Sequence, residues 1–415
     1  MATAHTRSRA MQENVSEALS GAREINIGLL TGGVDRPYAL GLARALLSKS
    51  IAVDFIGSDD LDSPELRRNS KLRFLNLRGS QREDAPVMAK AGRILRYYGL
   101  LIRYVWSAKP RIVHILWNNK FEHFDRTVLM LYYRLLGKKI AFTAHNINAG
   151  KRDAKDSWFN RLTLSFQYRL CHHVFVHTDT MRQELRQDFA VPDHSITVIP
   201  FGLNAGASET DLTTGAAKRR LGLAADDKTL LFFGHIGPYK GLETLVAAFQ
   251  IVAADDPTYR LIIAGKPDPG AELYLEGIQR AIAQHPSSAR VMQKIEFIPD
   301  EDTEIYFKAA DVLVLPYTFV SQSGVLILGY RFGLPAIATE VGSFRDDIVE
   351  GRTGFVCSPG IPAGMAEAIQ TYFRSNLFAT LERQRAYIRA YAARRYSWDA
   401  VSRLTQTVYH RLLAE

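Results

Sequence analysis

The sequence is poor in features that would place it in a membrane or outside the cell. No run of about 18 uninterrupted apolar residues occurs among its 415 residues, so we expect no membrane-spanning helix. Residues 1–22 lack the apolar core of a signal peptide, and we expect them to form a loosely ordered tail. The two cysteines, Cys171 and Cys357, lie far apart in apolar segments, which predicts buried free thiols in a reducing compartment. These absences favour a cytoplasmic protein.

Two common cofactor signatures are also missing. Gly32 and Gly33 follow an apolar run, but the three-glycine spacing of dinucleotide-binding turns is absent, which argues against NAD. His172, His173 and His177 are close in sequence, yet their spacing on a helix end and a strand gives no metal-ligand set. We expect structural roles for these three histidines.

Positive charge is concentrated in the first half of the chain. Residues 1–205 carry 30 Lys and Arg against 19 Asp and Glu, whereas residues 206–415 carry 22 against 24. This imbalance suggests an anionic partner for the first half, such as a phosphorylated substrate, an anionic membrane or a nucleic acid. We expect no nucleic acid, because the sequence has no supporting motif and no aromatic and basic residues interleaved on a sheet.

Short β-branched runs alternate with longer amphipathic segments along the chain. We predict seven strands in the first half, at 25–30, 52–57, 72–77, 112–116, 140–145, 174–178 and 196–200, and six in the second half, at 229–234, 259–265, 295–299, 311–316, 335–339 and 354–358. Near-continuous apolar strands that alternate with helices indicate parallel sheets covered on both faces. The predicted fold class is α/β, with two doubly wound Rossmann-like domains that face a cleft.

The domain boundary is predicted where Pro, Gly, Ser and Thr accumulate after the seventh strand. The first domain would then span residues 23–205 and the second residues 206–390. Residues 391–415 are helical in period, and we expect them to form a C-terminal helix that packs back across the domains.

The turns after the strands are the candidate sites, because ligands of open α/β sheets bind beyond the carboxyl ends of the strands. Gly33 permits close backbone approach to a ligand, and His145 can donate a hydrogen bond or transfer a proton. Lys240 lies in a glycine-rich turn that suits a phosphate clamp. Residues 321–324, Ser-Gln-Ser-Gly, form a polar turn between an apolar strand and an apolar helix, where backbone N–H groups can meet an anion. The alternative at each position is a purely structural turn residue.

Nine segments of the sequence share their order and spacing with one known family. In the second half they are GHIGPYKGLETLVAAF, YRLIIAGK, IEFIPDEDTEIYFKAADVLVLPY, GLPAIATEVGSFRDDIVEGRTGFV and YSWDAV, and in the first half, more loosely, GLLTGGVDRPYALGLARAL, TAHN, VFVHTDTMRQEL and VIPFGLN. These segments resemble the family-4 retaining glycosyltransferases, which have the two-domain GT-B fold. The resemblance implies that a nucleotide-diphosphate sugar is held mainly by the second domain.

The resemblance also implies roles for individual second-domain residues. Lys240 would contact the donor diphosphate, and Ser323, Gly324 and Val325 would offer backbone N–H groups to the distal phosphate. His235 stands where the family usually has an arginine, so the positive charge expected at that point is absent or conditional on protonation.

Further implied contacts complete the donor site. Ile298, in the segment 297–299, would line the base through backbone contacts, and Gly33 would approach the donor from the first domain. His145 matches the first-domain histidine that contacts the transferred sugar. No metal and no cofactor are expected, because a lysine, N–H groups and a helix dipole can stabilise a leaving diphosphate without one.

The sequence departs from the family at its paired glutamates. The family often has two glutamates eight positions apart in this stretch, but the matching places hold Val320 and Leu328, or Ser321 and Gly329 in the other alignment. Recognition of the sugar and the ribose must therefore differ. Gln322, a neutral donor and acceptor, is a candidate for contact with a sugar hydroxyl.

One basic and apolar helix is predicted in the first domain. Ile94, Leu95, Tyr98, Leu101, Ile102 and Val105 recur at helical spacing, with Lys90, Arg93, Arg96 and Arg103 among them. The helix either lies on an anionic membrane and brings the domain to a lipid-linked acceptor, or is a core helix with a solvated basic face.

The expected function is therefore hexosyl transfer from a UDP- or GDP-linked sugar to a hydroxyl of a glycan or lipid-linked acceptor, with retention of configuration. The resemblance suggests surface polysaccharide assembly as the setting. Two alternatives stay open: a non-catalytic homologue that serves as a partner subunit, and a nucleotide-sugar epimerase with the same fold.

Overall fold

The structure, a computed structural model, describes residues 25–33, 35–82, 86–152, 156–203 and 210–415. The tail predicted at residues 1–22 and the predicted boundary between residues 205 and 206 lie outside these ranges. The helices among the described residues include none that is long and apolar enough to cross a membrane. Cys171 and Cys357 are both free and partly buried, and burial raises the pKa of the Cys357 thiol to about 11.

The first domain is built on a seven-stranded parallel sheet. Its strands are β1 (Asn26–Leu30), β2 (Ala52–Gly57), β3 (Leu72–Asn76), β4 (Ile112–Ile115), β5 (Lys139–Thr143), β6 (His173–Val176) and β7 (Ile196–Val198). They lie in the order β3-β2-β1-β4-β5-β6-β7. The order reverses between β1 and β4, which opens a crevice beyond the carboxyl ends of these two strands.

Helices cover both faces of this sheet. They are α1 (Arg36–Ser48), α2 (Pro64–Arg67), α3 (Val87–Ser107), α4 (Glu122–Phe124), α5 (Met130–Leu135), α6 (Ala149–Arg152), α7 (Trp158–Leu170) and α8 (Asp179–Phe189), with a π-helical stretch at Asp125–Leu129 and 3₁₀ turns at Asp59–Leu61 and Asp193–Ser195. Helices α1 and α2 pack on one face, whereas α3, α5, α7 and α8 contribute to the core on the other.

The second domain repeats this plan with six parallel strands. They are β8 (Lys228–Phe233), β9 (Tyr259–Ala264), β10 (Val291–Lys294), β11 (Val312–Leu315), β12 (Ala336–Thr339) and β13 (Gly354–Cys357), in the order β10-β9-β8-β11-β12-β13. The order reverses between β8 and β11, so the turns after these two strands flank the second crevice. The predicted fold class, two doubly wound α/β domains, is confirmed.

The second sheet is also covered on both faces. Its helices are α9 (Thr214–Arg220), α10 (Leu242–Asp255), α11 (Glu272–Ala283), α12 (Asp300–Ala309), α13 (Gly324–Arg331), α14 (Phe344–Asp347), α15 (Pro362–Arg374), α16 (Asn376–Ala379) and α17 (Leu381–Arg395), with 3₁₀ turns at Pro238–Lys240 and Ser288–Arg290. Helices α10, α11 and α15 fill one face, and α12, α13 and α17 fill the other.

The prediction of a strand at residues 295–299 is wrong. The strand is β10, four residues earlier, and the predicted segment is the turn that follows it. Strand β10 lies at the sheet edge and pairs only with β9, from Val291 opposite Leu261 to Lys294 opposite Ala264. Phe297 is 64% exposed, so the apolar residues of this segment belong to the rim of the crevice instead of a core strand.

The chain crosses between the domains twice, and the two crossings are hydrogen-bonded to each other. The N–H of Leu203 donates to the carbonyl of Tyr396 at 2.8 Å, and the indole of Trp398 donates to the carbonyl of Leu203 at 2.9 Å. The second crossing leads into α18 (Trp398–Ala414), which packs on α1 of the first domain. The boundary predicted at residue 390 falls inside α17, so the chain returns to the first domain about five residues later than expected.

Candidate active site

His145 lies in a group of aromatic rings at the base of the cleft. Its ring stacks on Trp117, with centroids 4.1 Å apart and planes 5° apart, and meets Tyr38 edge-on at 4.7 Å. His177 Nε2 is 3.3 Å from His145 Nδ1. These contacts arise because β4, β5 and β6 end side by side, which brings residues from three turns and from α1 together.

The chemistry of His145 is that of a neutral imidazole. Burial lowers its pKa well below the ordinary value, and the neighbouring His177 and His114 lower it further. Nδ1 is engaged with His177, whereas Nε2 is buried and has no hydrogen-bond partner among the described residues. A buried polar atom without a partner is costly, so Nε2 is the atom of His145 that is left to form a hydrogen bond.

The first-domain glycine turn packs against two other turns. Gly32 and Gly33 have φ of 62° and 74°, values that favour glycine. A Cβ on Gly32 would collide with Trp117, and one on Gly33 would lie 3.0 Å from the guanidinium of Arg78. The predicted close approach at Gly33 is therefore, within the protein itself, an approach to Arg78.

Close backbone packing also shapes the second-domain rim. Gly234 (φ 102°) follows β8, and its carbonyl occupies the space that a side chain on Gly265, after β9, would fill. Gly241 (φ 62°) is pressed in the same way against the carbonyl of Pro316, after β11. Glycine at these positions lets the turns after β8, β9 and β11 converge on one crevice.

Lys240 lies at the centre of this rim. Its ammonium is 3.9 Å from the ring centroid of the buried Tyr317, a cation–π contact that holds the charge at the crevice. The lysine ends a 3₁₀ turn, and α10 begins two residues later. A positive charge next to a helix start is the arrangement that suits a phosphate group.

His235 is exposed and pairs with an acid. Its Nδ1 lies 3.0 Å from a carboxylate oxygen of Asp268, which follows β9. The family's arginine charge is therefore replaced by a histidine–aspartate pair. Sequence reasoning did not find Asp268, nor Lys266, whose ammonium lies 5.7 Å from the ring centroid of Phe297.

The polar turn before α13 is a helix cap. Ser323 is the N-cap residue, and its hydroxyl accepts a hydrogen bond from the N–H of Leu326 at 3.3 Å. This leaves the N–H groups of Gly324 and Val325 as donors at the helix end, where the dipole favours an anion. Val325 contacts the Gly234 turn, because its side chain lies 3.3 Å from the Cβ position of Gly234.

The start of α13 also faces the first domain. A Cβ on Gly324 would lie 3.8 Å from the ring of Phe201, and Ser321 Oγ is 3.4 Å from Asn146 Oδ1. Asn146 is the residue after His145. The structure therefore brings the turn that holds His145 and the start of α13 to the two sides of one cleft, and the Lys240 turn lies on the α13 side, in the second domain.

Two other predicted donor residues lie in different surroundings. Ile298 is buried at the rim, next to the exposed Phe297. Gln322 lines a cavity of about 690 Å³ between the domains, together with Thr178 and Phe201 of the first and Asp346 of the second. Its amide is within a polar wall that suits hydroxyl groups.

In one of the two alignments the places that match the family's glutamates are apolar in their surroundings as well, whereas Ser321 of the other alignment lies beside Asn146. Val320 and Leu328 both pack against the core cluster of the second domain. Asp35, which sequence reasoning missed, is a half-buried acid in the cleft. Its carboxylate accepts from the N–H of Tyr38 at 2.9 Å and caps α1. Burial raises the pKa of Asp35, and Asp300 of the other domain raises it further.

Two other histidines, His114 and His173, serve packing. His114 Nδ1 is 2.6 Å from the hydroxyl of Tyr409, and His173 Nδ1 is 2.8 Å from a guanidinium nitrogen of Arg411, so both histidines anchor α18 on the first sheet. In the part of the chain that the structure describes, no three His, Cys, Asp or Glu side chains are grouped as a possible metal site.

Sequence families match both domains. Residues 31–206 match Glycosyltransferase Family 4, and residues 227–375 match Glycosyl transferases group 1, so the two matches together cover most of the chain. A D-inositol 3-phosphate glycosyltransferase of Streptomyces avermitilis is 26% identical over 57% of this chain and 51% of that protein. The chain thus spans about half the length of this relative. The protein of the same name in Corynebacterium glutamicum is 24% identical over 92% of this chain and 93% of that protein.

Solved structures share the architecture. Sucrose-phosphate synthase from Thermosynechococcus elongatus superimposes with a TM-score of 0.73 at 19% identity, over 94% of this chain and 100% of that one. Anabaena HepE in complex with UDP and glucose gives 0.71 at 15% identity, over 95% and 100%. At these identities the likeness concerns the fold. The two family matches show that the chain belongs to the family-4 glycosyltransferases, and the solved structures show the two-domain GT-B fold.

Proposed function

We propose that the protein transfers a hexose from a UDP- or GDP-linked sugar to a hydroxyl of a glycan or lipid-linked acceptor, with retention of configuration. The observation that carries this proposal is the approach of the start of α13, in the second domain, to the first-domain turn that holds His145 and Asn146. Anion-binding groups on one domain and a neutral hydrogen-bonding residue on the other suit a diphosphate and a sugar hydroxyl, respectively.

Donor binding would use the second domain. The distal phosphate would accept hydrogen bonds from the N–H groups of Gly324 and Val325, and Lys240 would neutralise part of the diphosphate charge. Ile298 and Phe297 would meet the base at the rim, with Lys266 and His235 nearby. HepE, which shares the fold, was solved with UDP and glucose, so UDP-glucose is the first donor to test.

Sugar transfer would proceed by departure of the diphosphate. The bond from the anomeric carbon to the phosphate oxygen breaks, its electron pair leaves on the diphosphate, and the acceptor oxygen bonds to the same face of the carbon. The acceptor proton passes to the departing phosphate oxygen. Fixed N–H donors and Lys240 stabilise the negative charge that develops there, so we propose that no metal is required.

Recognition of the transferred sugar would fall to neutral groups. His145 Nε2 is a buried polar atom without a hydrogen-bond partner among the described residues, and Gln322 lines the cavity between the domains. Hydrogen bonds from these groups would replace the carboxylate contact that the family often uses.

We also propose that the first domain contacts an anionic membrane, as a peripheral protein at its inner face. Helices α3, α5 and α7 lie side by side: Tyr132 of α5 donates to the Ile102 carbonyl of α3 at 3.0 Å, and Arg126, before α5, bonds Asn160 of α7 at 2.9 Å. Their outer surface, termed the outer face below, is the part of the molecule where exposed apolar side chains are concentrated.

The composition of the outer face favours contact with a membrane. Thirteen of the nineteen exposed large apolar side chains among the described residues lie on these three helices or in the segment before α5, and the outer face includes them: Val87, Met88, Leu95, Ile102, Trp106, Phe121, Val128, Leu131, Leu135, Trp158, Phe159, Leu162 and Phe166. Exposed cations lie among them, including Arg96, Arg103 and Arg134. Apolar side chains mixed with cations fit an anionic bilayer surface. Surface polysaccharide assembly would be a setting with such an acceptor.

A thermal-shift screen followed by a turnover assay tests the proposed activity. Binding of UDP or GDP should raise the midpoint of unfolding, and the sugar nucleotide should then release its nucleoside diphosphate when acceptor lipid is present. An epimerase would instead convert the sugar without any acceptor, and a non-catalytic partner subunit would bind no nucleotide. Asp179, Asp346 and Asp347 line the cavity between the domains and Asp35 caps α1, so formation of an epimer would direct attention to these carboxylates.

A further inference from the structure

A basic groove separate from the donor rim lies in the first domain, between the segment after β3 and the first half of α3. Two cavities of about 310 and 680 Å³ form it and share Arg78 and Arg93 in their walls. The cations that line these cavities are Arg78, Arg82, Lys90, Arg93, Arg96 and Lys120. No acidic side chain lines either cavity among the described residues, which do not include residues 83–85. We call this site the anion groove.

Arg78 is the most constrained cation of the anion groove. Its guanidinium lies 5.4 Å from the ring centroid of Tyr97 and donates from Nη1 to the neutral side-chain oxygen of Asn119 at 2.8 Å. Its Nε is buried and has no hydrogen-bond partner among the described residues. A half-buried cation whose side-chain contacts are neutral is stabilised by an anion, which would supply both the missing charge and the missing acceptor.

The anion groove is connected to His145 by a series of packed residues. Arg78 touches the Gly33 turn, Gly32 packs against Trp117, and the Trp117 ring lies flat on that of His145. All of these residues follow strands of the first sheet at its carboxyl edge, where this fold binds ligands. The groove thus lies on the first domain, and the Gly32–Gly33 turn and Trp117 lie between it and His145, the residue proposed to meet the sugar. The donor rim is on the other domain.

We propose that the anion groove binds a phosphate or diphosphate of the acceptor, so that the acceptor is a phosphate-bearing molecule. The inference rests on the proposed glycosyl transfer and names its acceptor class. Two sources share this chemistry: the phosphate of a lipid carrier and that of a free sugar or polyol phosphate. Helix α3 bears Lys90 and Arg93 in the groove and Leu95, Ile102 and Trp106 on the outer face, which favours the lipid source.

The test is a calorimetric titration of the full chain with inorganic pyrophosphate, in the presence of saturating UDP or GDP so that the donor site is filled. The double variant Arg93→Gln/Lys120→Gln removes two groove charges. Arg68→Gln is the matched control, because Arg68 is exposed at the end of α2, on the opposite face of the sheet. Lys240→Ala tests whether pyrophosphate binds at the donor rim instead. Equal midpoints of thermal unfolding show that the variants fold.

The groove predicts that pyrophosphate binds, and that the double variant weakens its binding at least about 10-fold, while Arg68→Gln and Lys240→Ala leave it unchanged. Binding that survives in the double variant but is lost in Lys240→Ala would overturn the groove and leave the proposed donor site intact. Binding at the groove in a protein that binds no nucleoside diphosphate would instead contradict the proposed transfer. Absence of pyrophosphate binding overturns the groove.

A second arm distinguishes the two sources. Phosphatidylcholine vesicles that carry a polyprenyl phosphate are compared with soluble glucose 6-phosphate, each against the double variant. Weaker binding of either probe to the double variant supports the groove. If the acceptor phosphate is carried by a lipid, the vesicles should bind well and glucose 6-phosphate should not. If both probes bind the double variant as tightly as the unaltered chain, the inference is wrong.

Discussion

The ring of His145 lies flat on the indole of Trp117, with centroids 4.1 Å apart and planes inclined by 5°. Stacking fixes the plane of the imidazole, and the contact of Nδ1 with His177 fixes which edge faces the protein. Burial keeps the ring neutral by lowering its pKa. His145 is therefore a positioned hydrogen-bonding group without charge, which suits a sugar hydroxyl better than a phosphate.

Replacing His145 by alanine should slow sugar transfer about 100-fold, because a positioned hydrogen-bonding or proton-transfer group contributes at least that much. The Michaelis constant for the donor should change little, since the diphosphate is held elsewhere. Steady-state kinetics at pH 7.5 measures both constants. His194→Ala, at an exposed position in the same domain, is the control and should retain full activity. A His145→Ala enzyme with unaltered turnover would remove this residue from the site.

Replacing Gly324 by proline should weaken binding of the nucleoside diphosphate by about 10-fold, because proline removes one of the N–H donors at the start of α13. Proline is tolerated at the first position of a helix, and Ser323 before it already has the extended backbone that proline requires (φ −124°, ψ 111°).

The matched variant Gly324→Ala keeps the N–H. Its Cβ would lie 3.8 Å from Phe201, an ordinary contact, so its affinity should equal that of the unaltered chain. Calorimetry compares the two variants. Equal affinities for proline and alanine at this position would show that the N–H of Gly324 binds no phosphate.

The free energy of unfolding should fall as pH decreases below about 6.5. Burial lowers the pKa of His114 to about 3 and that of His177 to about 4, from an ordinary value of 6.5. Between those pKa values and pH 6.5, the two imidazoles are protonated in the unfolded chain but neutral in the folded chain. Each such histidine therefore lowers stability by about 1.4 kcal/mol per pH unit as pH decreases.

A comparison of variants isolates this effect. His114→Gln should lose less stability between pH 6 and pH 5 than the unaltered chain, by about 1.4 kcal/mol, whereas the exposed His194→Gln should follow the unaltered chain. Urea unfolding at the two pH values provides the measurement. Parallel pH dependence for His114→Gln and the unaltered chain would mean that His114 is protonated in the folded state.

Binding to anionic vesicles should depend on the outer face. Trp106→Ser/Leu135→Ser removes two side chains that are 72% and 77% exposed, and should reduce co-sedimentation with phosphatidylglycerol vesicles several-fold, because the apolar area inserted in the interface is smaller. Leu273→Ser, at a position 79% exposed in the second domain, is the control and should bind as before. Equal sedimentation of all three proteins would contradict membrane contact through this face.

Local patterns sufficed for much of the fold. Strands β1 and β8 are buried on both faces of their sheets. Such strands are apolar along their whole length, so their sequences identify them without knowledge of their neighbours. The strand at the sheet edge was misplaced, because Val291–Lys294 is paired on one side only and reads as polar, while the more apolar segment after it lines the crevice. Here the tertiary position overrode the local pattern.

The candidate site was predictable only where one turn holds the group. Lys240 lies in the turn after β8 and α13 begins after the turn that follows β11, and both turns can be read directly from the sequence. Trp117 under His145, and Asp268 beside His235, come from neighbouring strands in space and carry no signal of their own. The anion groove combines Arg78, Arg93 and Lys120 from three segments, so the sequence indicated only parts of it, through the uneven charge of the two halves and the basic helix that carries Arg93.

The most direct test of the account is calorimetric titration of the full chain with UDP and with GDP, repeated on Lys240→Ala. Arg219→Ala, at an exposed position in the second domain, is the control. We expect one of the two nucleotides to bind with a stoichiometry of about one, Lys240→Ala to weaken this binding at least about 10-fold, and Arg219→Ala to leave it unchanged. A protein that binds neither nucleotide, or binds one equally well without Lys240, would contradict this expectation.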